Sequence, residues 1–86
     1  MYVIITYDVG VKRNSKVLKI CRRYLLHVQK SVFEGHITET DLKKLMKEIE
    51  HVIIPEEDQV AIYEFDTIRY TNKWMIGYHK SSDNII

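Results

Sequence analysis

A single cysteine, Cys21, leaves the chain without an internal disulfide and without the thiolate set of a zinc cluster. Its four histidines, His27, His36, His51 and His79, follow no zinc-binding spacing. No apolar run approaches the roughly 18–20 residues that cross a bilayer, and no charged-then-apolar leader opens the sequence. A cytoplasmic protein without a membrane partner is therefore expected. Repeats and low-complexity tracts are missing as well. In 86 residues there is room for one core only. The 45% hydrophobic and 29% charged shares are those of an ordinary globular domain. So small a core gains from burying further surface in an oligomer.

One stretch also lacks any acid. From Val9 to Phe33 there are seven basic residues (Lys12, Arg13, Lys16, Lys19, Arg22, Arg23, Lys30) and no Asp or Glu. Glu34 to Asp66 reverses the sign, with ten acids against three lysines. The net charge of +1 hides this asymmetry. The first segment is locally cationic, either a surface for a polyanion or a solvated helix face whose charges pair across the fold.

What is present begins with MYVIITYD, where seven of eight residues are apolar, aromatic or β-branched. That composition suits a strand buried on both faces. It ends on Asp8, a carboxylate held on rigid backbone yet able to reach solvent. Gly10–Arg13 reads as a loop, and Asn14 or Ser15 can cap a helix running to about Leu26. Val17, Ile20, Cys21, Tyr24 and Leu25 form its apolar stripe. His27–Ile37 carries no helical period and is long enough for two short strands, with Gly35 as the bulge or bend. Thr38 precedes Asp41 by three, a box-like helix start. Leu42, Leu45, Ile49 and Val52 mark the buried side of that second helix, which Pro55 ends.

Glu56-Glu57-Asp58 lacks the alternating oxygen ligands and the glycine of a calcium loop and reads as a solvated turn. Gln59–Phe65 is a strand. Thr67–Tyr70 and Lys73–Tyr78 read as further short strands before a loose tail at Ser81–Asn84. The order is βαββαβ with a strand-like C-terminal appendix, an α+β fold with two helices on one face of an antiparallel sheet. Residues 1–66 form the domain, and residues 67–86 a segment that docks on a partner through Trp74, Met75 and Ile76. The sheet face without helices is a candidate dimer interface.

The strand ending in Tyr7-Asp8, the basic first helix and above all Val28-Gln29-Lys30-Ser31-Val32-Phe33-Glu34-Gly35 resemble the smaller of the two universal CRISPR-associated adaptation proteins. The resemblance covers about residues 1–65. It implies a ferredoxin-like βαββαβ sandwich, a homodimer, and assembly with the larger adaptation subunit, the integrase, around a short DNA duplex. Members of that family are described as metal-dependent nucleases acting on RNA or double-stranded DNA, and as non-catalytic spacers within the integrase complex. The resemblance makes Asp8 the metal-binding and catalytic aspartate, with Tyr7 beside it. It places the basic nucleic-acid-binding loop on Lys12, Arg13 and Lys16, where Asn14 breaks a run that often carries more arginine. Phe33 falls on the family's aromatic.

One carboxylate per subunit is not a hydrolytic site. Two copies of Asp8 converging on a two-fold axis would meet the needs of Mg²⁺, which keeps several waters and takes one or two protein carboxylates. The structural alternative is that Asp8 accepts hydrogen bonds from the Gly10–Arg13 backbone. Glu34 reads as a solvent-side strand residue, and a general base only if it lies near the dimer axis. Tyr7, Phe33 and Tyr63 read as core rather than as base-stacking platforms. Three functions follow: a duplex-DNA-binding bridge between integrase subunits, a Mg²⁺-dependent endonuclease on RNA or double-stranded DNA, and an RNA-binding or toxin-like ribonuclease module. The last lacks the RNP signature of an RNA recognition motif.

Overall fold

The computed structural model describes residues 1–66. Strand β1 spans Tyr2–Asp8, helix α1 Val11–Arg22, strand β2 Leu26–Gln29, strand β3 Val32–His36, helix α2 Glu39–Glu50 and strand β4 Gln59–Phe65. The sheet order is β2-β3-β1-β4, and β1 lies antiparallel to both of its neighbours. This is the ferredoxin-like arrangement that the element order implies. The strand expectations for Thr67–Tyr70 and Lys73–Tyr78, and the docking role of Trp74, Met75 and Ile76, lie outside the described residues.

Alternation along β1 divides its side chains between two faces. Val3, Ile5 and Tyr7 are buried, whereas Tyr2, Ile4 and Thr6 are half-buried and Asp8 is exposed. The buried set joins Val17, Ile20 and Cys21 of α1 and Leu42, Leu45 and Ile49 of α2 in one core, so both helices cover the same side of the sheet. Helix α2 starts as its sequence implies: Thr38 Oγ1 accepts the Asp41 amide at 3.1 Å. It stops at Glu50, well before Pro55, which follows the helix rather than breaking it.

Helix α1 departs from the reading of its sequence at both ends. It begins at Val11 behind Gly10, not after Asn14 or Ser15, and no local side chain caps it. The reason is a distant carboxylate. Asp58 accepts the Gly10 amide at 2.8 Å and holds the turn from a position 48 residues further along the chain. At the other end α1 stops at Arg22, and Leu26 already belongs to β2.

The β2–β3 hairpin turns at Lys30-Ser31, with Ser31 in the left-handed region at φ 60°. Its bulge lies between His27 and Gln29, not at Gly35. Gly35 meets a different need. At φ 155° it passes Leu25 so closely that a Cβ would stand 3.3 Å from Leu25 Cδ2.

Candidate functional site

Asp8 ends the central strand opposite Gln59, on the face turned away from the helices. It borders a shallow depression of about 220 Å³ with Thr6, Tyr7, Gln59, Ala61 and Tyr63. Among the described residues its carboxylate accepts no hydrogen bond. The backbone role considered for it falls to other groups: Gly10 N donates to Asp58, while Arg13 N and Asn14 N donate to Gly10 O. Asp8 is thus exposed and unengaged at a rigid strand end.

The two side chains expected as supports are anchored in the core, and Tyr7 also borders the depression. Tyr7 and Phe33 are core residues, 6% and 0% exposed, with rings stacked at 6.3 Å. His27 also stacks on Phe33, with ring centroids 4.5 Å apart. Burial pushes the Tyr7 phenol up to about 12, so it stays protonated at neutral pH and offers no base. The reading of Tyr63 as core is corrected by its 53% exposure, which puts an aromatic surface beside Asp8. Glu34 is likewise not solvent-side; it is buried, and Tyr2 Oη donates to its Oε2 at 2.7 Å. Burial, with that hydrogen bond, raises the Tyr2 phenol to about 12.

The basic residues separate into two groups. Lys12, Lys16 and Lys19 are exposed at i, i+4 and i+7 on one side of α1, and none has an ion partner among the described residues. Arg13, expected beside Lys12 and Lys16 on nucleic acid, is engaged within the fold. Its Nε and Nη2 donate to Asp58 at 2.5 and 2.8 Å, and Nη2 also reaches Glu57 at 3.3 Å. Asp58 in turn accepts the Ile54 amide at 2.8 Å. The acidic turn is therefore not simply solvated, because the Asp58 side chain is fully buried. The Arg13 guanidinium, with the two amides, holds the Asp58 carboxyl well below the usual carboxylate range. No periodicity marks Asp58; its only sign in the sequence is its place at the root of β4, level with the end of β1.

No group of three or more His, Cys, Asp or Glu side chains capable of holding a metal occurs among the described residues. One exposed carboxylate fits Mg²⁺ only as half of a shared site, with a second chain supplying the other ligand and water the rest. No helix among the described residues is long and apolar enough to cross a membrane.

Fold and site together define a small ferredoxin-like α+β domain with a lysine-lined first helix and a free aspartate at the tip of its central strand. The family model described as CRISPR associated protein Cas2 matches residues 1–73, and the chain belongs to that family. Two relatives carry the name CRISPR-associated endoribonuclease Cas2. The one from Dictyoglomus turgidum is 44% identical over 81 residues, 94% of this chain and 93% of its own. The one from Thermotoga maritima is 42% identical over 86 residues, 100% of this chain and 99% of its own. A crystal structure of Cas2 superposes with a TM-score of 0.84 at 36% identity, covering 93% of this chain and 90% of that one. Streptococcus pyogenes Cas2 at pH 6.5 gives 0.75 at 27% identity, over 87% of this chain and 99% of that one.

Proposed function

We propose that the chain is a CRISPR adaptation subunit whose homodimer binds double-stranded DNA irrespective of sequence and bridges copies of the larger integrase subunit. The observation that carries this is the free lysine row of α1. Three cations on one exposed side, with no acid in the helix, suit a phosphate backbone, because phosphate contacts position a duplex without reading it. Pairing through the sheet face that holds Ile4, Thr6 and Tyr63 would place two such helices in one particle.

Binding measured against salt tests this. Each phosphate contact contributes a slope of about −0.9 in log K against log salt. Lys12→Gln with Lys16→Gln removes four cations from a dimer, so the slope should flatten by about 3 to 4, equally for unrelated duplexes. An unchanged slope refutes the reading. Pulldown of the integrase subunit with duplex DNA, with and without Mg²⁺, tests the bridge.

A second reading, a Mg²⁺-dependent endonuclease on RNA or double-stranded DNA, is favoured by the unengaged Asp8 carboxylate and by the names of the relatives. Asp8 from both protomers would hold the ion, which supplies charge stabilisation at a phosphodiester when bound. Asp8→Asn should then abolish cleavage and leave dimerisation intact. Cleavage that survives the substitution points to a contaminant.

A further inference from the structure

Among the described residues, Arg13 is the one basic residue of the α1 entrance whose charge is already committed. Asp58 receives four donors on two oxygens: Gly10 N and Arg13 Nη2 on Oδ1, Ile54 N and Arg13 Nε on Oδ2. These join three segments, namely the turn after β1, the loop before β4 and the first turn of α1. The guanidinium also crosses directly over Gly10, where a Cβ would come within 2.5 Å of Nη2. A side chain at that position would displace the fork, so glycine is part of the same device. Gly10 stands two residues from both Asp8 and Lys12. Whatever fixes Gly10 fixes the spacing between the free carboxylate and the lysine row.

We propose that Arg13 and Asp58 are positioning residues that hold the β1–α1 turn so that Lys12 and Lys16 meet a phosphate backbone, and that Arg13 itself makes no phosphate contact. This rests on the reading of the α1 lysines as the duplex-binding face. Planar, bidentate geometry is essential to the device. An ammonium can keep the charge at position 13 but cannot give the two parallel donors that Asp58 receives.

Three variants separate positioning from charge. Arg13→Lys keeps the charge, Gly10→Ala changes none, and Asp58→Asn removes an acid. Each is titrated with duplex DNA across salt by fluorescence anisotropy, well below its unfolding midpoint, with dimer state and circular dichroism checked. Positioning predicts weaker binding in all three, by about two- to tenfold, the scale of re-ordering a freed side chain on binding. It also predicts an unchanged salt slope, because no phosphate contact is lost. Binding by Arg13→Lys at wild-type strength, or tighter binding by Asp58→Asn, overturns the proposal. A role in stability alone lowers the midpoints and leaves binding intact, which also overturns it. Lys12→Gln and Lys16→Gln run alongside: if they too leave affinity and slope unchanged, the duplex-binding reading has failed, not merely the positioning one.

Discussion

Removing the Tyr7 hydroxyl should stabilise this protein. Tyr7 is 6% exposed, and its Oη makes no hydrogen bond of normal geometry among the described residues; the nearby Ser31 side chain only partly offsets the rise that burial gives its pKa. A hydroxyl buried without a partner costs about 1–3 kcal/mol by mutational measures. Tyr7→Phe keeps the ring that stacks on Phe33 and deletes the oxygen alone. The void left is no larger than a water, roughly 15 Å³, and at about 24 cal/mol per Å³ it costs about 0.4 kcal/mol. The balance is a gain of about 0.6–2.6 kcal/mol, and a shift of about 4–8 °C per kcal/mol follows for a domain of this size. Urea denaturation followed by circular dichroism reads it directly. Wild type and variant must be compared at one chain concentration, since association adds to apparent stability. A loss of about 1 kcal/mol would refute the reasoning, because it would mean that the phenol is satisfied in solution.

Two further outcomes follow. His27 is buried, and neither ring nitrogen has a partner of normal geometry among the described residues; burial first, helped by the Arg22 charge and opposed by the Gln29 backbone, lowers its pKa. Above the ordinary value of 6.5 the ring is neutral folded or unfolded. Below it the unfolded chain takes up a proton that the native ring refuses, so stability falls with acid. His27→Phe should reduce the difference between denaturation midpoints at about pH 7.5 and about pH 5.5, and an unaltered difference contradicts this. Thr38→Ala removes the cap on α2 and should cost about 0.5–2 kcal/mol, read by the same urea titration.

What could be read in the sequence and what could not divides by distance along the chain. Strands β1 and β4 show themselves by composition and alternation, and α2 by a box spanning Thr38 to Asp41, all within a few residues. The start of α1 escapes because its support, Asp58, is separated from Gly10 by 48 positions. The same contact explains Arg13. Its neighbours Lys12 and Lys16 look identical to it as charges, and only tertiary structure shows which one is occupied. Asp8 stands out as the polar end of an apolar strand. That it accepts none of the turn's amides among the described residues depends on Asp58 having taken the Gly10 amide and Gly10 O those of Arg13 and Asn14, and the first of these no local pattern reveals.

Helix α1 is moored at both ends by groups other than lysine. Arg13 ties it to Asp58 and Glu57, and Arg23 and Tyr24 both bind Glu48 of α2. The lysines between these moorings carry no scaffolding duty among the described residues. Under the proposed duplex-binding function, thinning out or enriching the positive row retunes the ionic strength at which a polyanion lets go, while the domain beneath keeps its shape.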